Sequence, residues 1–223
     1  MNKQEKEKII DKVIKFMEKK LDDDCSGHDW WHVWRVWQNA KHLKKFEKKA
    51  DWFVVELAAL LHDIADWKFY GGDFSKGPKE AAKLLRRLGV DKKNIEKVQY
   101  IIANISFKGE GVKPEPLSIE GQIVQDADRL DGAGVLGAAR TFAYGGAMGR
   151  AIYDPDKKPK HFQNFAQYKN NKSSSINHFH ERLFLIKELM NTKEGKRIAD
   201  RRHRELGKFL DEFMIEWEGE DLK

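Results

Sequence analysis

Three short clusters hold the residues whose types and spacing suit metal chemistry: His28-Asp29-Trp30-Trp31-His32, His62-Asp63, and Asp126-Ala127-Asp128-Arg129-Leu130-Asp131. Imidazole nitrogens and carboxylate oxygens together ligate first-row divalent ions. His62-Asp63 closes the apolar run Val54 to Leu61. An ionised carboxylate is costly to bury there unless it is paired or metal-bound. The same pair also suits an ordinary helix C-terminus, with His favoured by the dipole and Asp in solvent. His28 and His32 are four apart, so both could lie on one helix face. Position 29 is Asp, so the zinc-protease pattern HExxH is absent. The expectation is one histidine as ligand and the other as an outer hydrogen-bonding partner.

In the third cluster, Ile123, Ala127 and Leu130 define an apolar arc on a helical wheel. Asp131 falls inside that arc, with Asp128 at one edge and Asp126 at the other. Acids on a buried face need partners, and a divalent cation is a simple one. A buried Asp–Arg pair through Arg129 or Arg140 is the alternative, and it competes mainly for Asp126 and Asp131.

The elements that must position these residues read as helices. Ile9, Ile10, Val13, Ile14, Met17 and Leu21 recur at helical spacing, and Asp22-Asp23-Asp24 ends that helix in a loop. A second helix spans 29–47, with Trp30, Val33, Trp34, Trp37, Ala40 and Phe46 as its stripe. Asp51 caps a third, whose run Val54 to Leu61 is apolar except at Glu56, as a central helix requires. Six of the seven tryptophans fall between 30 and 67 and read as core. Further helices are expected at 78–88, 91–104 and 117–131, then partial helix over 132–150. Ile176 to Met190 reads as one helix, and a last long helix begins at a Thr192 cap and ends near Trp217. Residues 154–172 are polar and aperiodic. Their lysines, His161, Phe162, Phe165 and Tyr168 suggest either a lid over a phosphorylated substrate or a surface loop without a role.

The composition, 40% hydrophobic and 35% charged, supports a folded core under an ion-rich surface. The net charge of +6 favours anionic partners but is spread along the chain. Arg201, Arg202 and Arg204 read as surface. A lone cysteine, Cys25, excludes an intramolecular disulfide. With neither a signal-like segment nor a membrane-length apolar run, the chain reads as cytoplasmic, with no membrane partner.

The order H…HD…D identifies a resemblance. It is carried by His32-Val33-Trp34-Arg35-Val36, by Leu61-His62-Asp63-Ile64-Ala65-Asp66-Trp67-Lys68, and by Val124-Gln125-Asp126-Ala127-Asp128-Arg129-Leu130-Asp131. It resembles the HD superfamily of metal-dependent phosphohydrolases, and within it the small single-domain bacterial branch. The likeness continues through Gly137 to Phe142 and Ile176 to Leu183. It implies an all-α, single-domain helical bundle: a core over about 22–150, the polar loop 154–172, and C-terminal helices over 173–218 packing on the core.

The resemblance also implies one metal held by His32, His62, Asp63 and Asp128, with Asp126 as the alternative last ligand. Two-metal branches add histidines between the HD pair and the final Asp, and here no His lies between 62 and 161. Mixed His and carboxylate ligands suit Mn, Fe, Co, Ni or Zn. Asp66 takes the place of the general acid or water-orienting base, where most relatives carry the longer Glu. Arg35, Lys68 and Arg140 are expected to bind substrate phosphates. His28 and Asp131 support the ligands from outside.

The activity implied is hydrolysis of a phosphate ester or anhydride in a nucleotide-like molecule. One form is conversion of a nucleoside triphosphate to monophosphate plus pyrophosphate. A nucleotide monophosphatase or a cyclic-nucleotide or alarmone hydrolase are further forms, but Trp67 follows Asp66 where alarmone hydrolases carry a second acid. Two other classes stand against it. A nucleic-acid-binding protein, favoured only by charge, predicts one basic face and steep salt dependence. A regulatory metal-bound module predicts no turnover.

Overall fold

The computed structural model describes residues 1–22, 27–65, 73–106, 115–162, 164, 166–167 and 173–222. Among these residues there are nine α-helices and no strand, as the helical periodicities require. No described helix is long and apolar enough to cross a membrane. The chain divides into two compact units, the first built mainly from residues 1–128, the second holding the chain from Arg129 onward.

In the first unit, α1 (Lys3–Lys20) starts at a capping box between Asn2 and Glu5 and buries Ile9, Ile10, Val13 and Met17. The helix α2 (Trp30–Lys44) is capped by Asp29, and α3 (Trp52–Leu61) by Asp51. Phe53 to Val55 and Leu57 to Leu61 of α3 are all buried, because α1, α2 and α5 (Lys92–Asn104) pack around it. The helix α4 (Lys76–Arg87) lies on α5. The helix α6 (Ile119–Asp131) carries the third chemical cluster.

The buried stripe of α2 differs from the expected one. The buried residues are His32, Val33, Val36, Ala40 and Leu43. Trp31 and Trp34 are 59% and 39% exposed and Phe46 57%, so these tryptophans are not core. Trp31 and Trp34 instead meet edge to face, 6.1 Å between centroids, and shield each other.

In the second unit, α7 (Gly134–Ala147), α8 (Ser175–Glu181), a 3-10 segment (Leu183–Leu189) and α9 (Lys193–Glu218) enclose Ala138, Ile176, Phe179, Leu183, Ile186, Leu206 and Leu210. Thr192 caps α9 as expected, accepting from the Gly195 N–H at 3.0 Å. The single helix expected over 176–190 is broken at Arg182, whose φ is −146°. Beyond it, buried Leu183 and Ile186 are three apart, matching the three-residue turn of a 3-10 helix. Arg202 is also not a surface residue: half-buried, it donates to the Leu130 carbonyl. The first half of the polar stretch is tied down. The Lys157 carbonyl accepts from Asn177 Nδ2 at 2.7 Å, the Lys160 N–H donates to Glu181 Oε1 at 3.1 Å, and Phe162 is buried. Phe165 and Tyr168 lie outside the described residues.

Candidate metal centre

Each side chain at the centre arrives by a simple local device. Asp29 Oδ1 accepts from the His32 N–H at 2.8 Å, capping α2 and placing His32 in its first turn, 1% exposed. His62 is the C-cap of α3, and Asp63 follows in the turn, so both project from the end of the most buried helix. His62 Nδ1 lies 2.8 Å from the Ala59 carbonyl oxygen. A carbonyl only accepts, so Nδ1 carries the proton and Nε2 presents its lone pair to the centre. Asp128 comes from α6 with its side chain 27% exposed.

Four atoms converge. His32 Nε2 is 3.1 Å from His62 Nε2, 3.3 Å from Asp63 Oδ2 and 3.6 Å from Asp128 Oδ1. His62 Nε2 is 3.6 Å from Asp63 Oδ2 and 3.8 Å from Asp128 Oδ1. Donors ~2.1 Å from a common ion lie ~3.0 Å apart at right angles and ~3.4 Å apart at the tetrahedral angle. The observed spacings are those of a first-row divalent ion's ligands, slightly expanded. The donor chemistry fits too: two imidazoles, from α2 and the C-cap of α3, and two carboxylates, from the turn after α3 and from α6. His32, His62 and Asp128 form one group able to hold a metal, and His28, His32 and Asp63 form another that shares His32.

His28 Nδ1 stands 2.9 Å from Asp63 Oδ2. Burial works against the charge on Asp63, but the adjacent His62 ring and the bonds from His28 and His32 outweigh it and hold the carboxyl well below its usual range. The group is therefore an anion at neutral pH, ready to ligate.

Other candidates go elsewhere or nowhere describable. Asp126 is fully buried and belongs to neither group. Asp131, also fully buried, pairs with Arg140 NH1 at 3.1 Å, and Arg140 Nε donates to the Gly27 carbonyl at 2.8 Å. The alternative of a buried Asp–Arg pair is thus realised for Asp131. Arg35 is half-buried on α2, one turn after His32. Asp66 and Lys68 lie outside the described residues.

Three side chains that residue type alone does not mark clamp α6. Glu120 Oε1 accepts from the Asp51 N–H at 2.9 Å, Gln125 Nε2 donates to the Ile105 carbonyl at 3.1 Å, and Asn39 Nδ2 donates to the Ala127 carbonyl at 3.1 Å. Gln125 is only 4% exposed, and this bond satisfies its buried amide.

Residues 30–133 match the family described as HD domain, a span that takes in His32, His62, Asp63 and Asp128. The Bacillus subtilis protein YpgQ is 37% identical over 204 residues, 91% of either chain. The crystal structure of YpgQ in complex with ADP superposes with a TM-score of 0.72, covering 94% of this chain and 95% of that one at 31% identity by structural alignment. A Bacillus thuringiensis HD-superfamily hydrolase is 41% identical, with a TM-score of 0.71 and coverage of 96% and 98%. A Lactobacillus plantarum protein gives a TM-score of 0.86 at 34% identity, covering 98% and 99%.

Proposed function

The chain belongs to the HD-domain family, and on that premise we propose that it is a phosphohydrolase using one divalent transition-metal ion to cleave a phosphate ester or anhydride of a nucleotide. The observation that carries this reading is that His62 Nε2, Asp63 Oδ2 and Asp128 Oδ1 lie 3.1, 3.3 and 3.6 Å from His32 Nε2, with the two carboxylate oxygens 3.6 and 3.8 Å from His62 Nε2. An ion held there would supply a Lewis acid for a phosphoryl oxygen and lower the pKa of attacking water. His32, His62, Asp63 and Asp128 hold it, and His28 orients the Asp63 carboxylate. Asp66 is assigned the proton transfer, and Arg35 and Lys68 the substrate phosphates. The nucleotide assignment is supported by YpgQ having been crystallised with ADP. Release of pyrophosphate from a nucleoside triphosphate is the form of the reaction we favour.

The test is a panel of nucleoside mono-, di-, tri- and cyclic phosphates with Mn, Fe, Co, Ni or Zn, reporting phosphate and pyrophosphate separately. Pyrophosphate from triphosphates supports the favoured form; phosphate alone replaces it with a phosphatase. No turnover with any metal rejects the enzyme. Asp66→Asn should keep the metal and lose turnover by ~10²–10⁴-fold.

A further inference from the structure

The polar side chain of Asn39 is half-buried at the edge of the buried arc of α2, two turns beyond His32. Seven residues of α-helix turn through nearly two full revolutions, so the two side chains share one face to within ~20°. Asn39 Nδ2 donates to the Ala127 carbonyl of α6 at 3.1 Å. That carbonyl belongs to the peptide group whose nitrogen is Asp128's own. Fixing the oxygen fixes the peptide plane from which the Asp128 side chain springs.

We infer that Asn39 is a positioning residue for the metal centre, setting where α6 presents Asp128 opposite His32. The inference rests on the metal reading above. One face of α2 then does two things: His32 supplies a ligand, and Asn39 places the opposing ligand, whose Oδ1 lies 3.6 Å from His32 Nε2. The role requires a donor, which an amide has and a carboxylate or alkyl chain lacks. It does not require Asn39 for folding, because Ala127 lies inside α6 and its carbonyl keeps an intrahelical partner when Asn39 is removed. The clamp from Glu120 to the Asp51 N–H provides the comparison. It also fastens α6, but eight residues before Asp128, ~12 Å along the axis.

The experiment titrates chelator-stripped protein with Co2+, following the visible ligand-field bands together with thermal unfolding of the metal-free form. Asn39→Leu and Asn39→Asp are compared with wild type and Glu120→Ala. Wild type should saturate near one equivalent. Both Asn39 variants should keep the metal-free melting temperature within a few degrees, bind Co2+ at least ~10-fold more weakly and show shifted bands. Glu120→Ala should melt lower yet keep the wild-type affinity and bands. Asn39→Asp gives the same reading should Asn39→Leu fail to fold. Wild-type affinity and bands in either folded Asn39 variant overturn the inference and leave the metal reading intact. No Co2+ binding by wild type overturns both.

Discussion

Nδ1 of His28 donates to Oδ2 of Asp63 across 2.9 Å, and that same oxygen faces Nε2 of His32 at 3.3 Å and of His62 at 3.6 Å. One carboxylate oxygen thus collects three imidazoles. If an ion takes its place among them, His28 is left as the group that holds Asp63 in orientation. Outer partners of this kind are worth roughly 10–100-fold in metal affinity. His28→Ala should bind metal weaker by that factor without change in helix content, as measured by calorimetric titration. Unchanged affinity would mean that Asp63 is oriented by backbone alone.

The proposed last ligand is one of the two acids that flank Ala127. Asp128 Oδ1 reaches the histidine pair, whereas Asp126 is fully buried outside both metal-capable groups. Elemental analysis should find about one transition metal per chain in wild type and almost none in His62→Ala or Asp128→Asn. Asp126→Asn should retain it. Chelation should lower the melting temperature, since binding to the native state alone adds stability. Metal lost from Asp126→Asn but kept in Asp128→Asn would exchange the two assignments.

The proposed ligands were legible because their types and spacing carry the signal: His32 and His62 at helix ends, Asp63 beside His62, Asp128 at the edge of an apolar arc. What was not legible depended on choosing between equal surfaces. Trp30, Trp31, Trp34 and Trp37 span about 120° of α2 beside the buried arc of Val33, Val36, Ala40 and Leu43, so apolar residue types cover two adjoining faces and the wheel alone does not say which is buried. The break at Arg182 has no Gly or Pro to announce it. For Asp131, the sequence offered either a metal or an arginine. Only the distance to Arg140 decides, and that is a matter of packing.

Two glutamates of the first unit should give pH dependences of opposite sign. Glu56 is raised above its ordinary pKa, by burial first, against the bond from Trp37 Nε1 at 3.0 Å and the charge of Lys41. The folded state then holds the proton more tightly, so this contribution to stability is lost as pH rises through the folded pKa. Glu56→Gln keeps an oxygen for Trp37 and should be more stable than wild type at pH 7, with the difference closing below the ordinary carboxylate range. Glu120 is lowered: burial opposes the charge, but the Asp51 N–H and the Ser118 hydroxyl outweigh it. Its contribution is present above the unfolded pKa and lost as pH falls through the folded one. Glu120→Gln should therefore be less stable at pH 7 and converge with wild type in acid. Urea unfolding of both variants between pH 3 and 8 checks the signs, and parallel curves would deny that either group is coupled to folding.

Two glycines of the second unit offer a contrast in packing. A Cβ built on Gly137 would lie 2.1 Å from the carbonyl oxygen of Gly132 and 2.5 Å from its carbon. Those are backbone atoms, so no side-chain rotation relieves the overlap and the chain itself must shift. Gly137→Ala should cost about 1–3 kcal/mol, the range seen when a packed site is overfilled. Gly207, inside α9, has nothing within 4 Å of the same construction. There the added methyl meets open space and restricts only the unfolded chain, so Gly207→Ala should stabilise by about 0.5–1 kcal/mol. Thermal and urea unfolding of the two variants should move in opposite directions. A Gly137→Ala protein as stable as wild type would show that the turn at Gly132 can open at no cost, and that the close approach to α7 is not what requires glycine at 137.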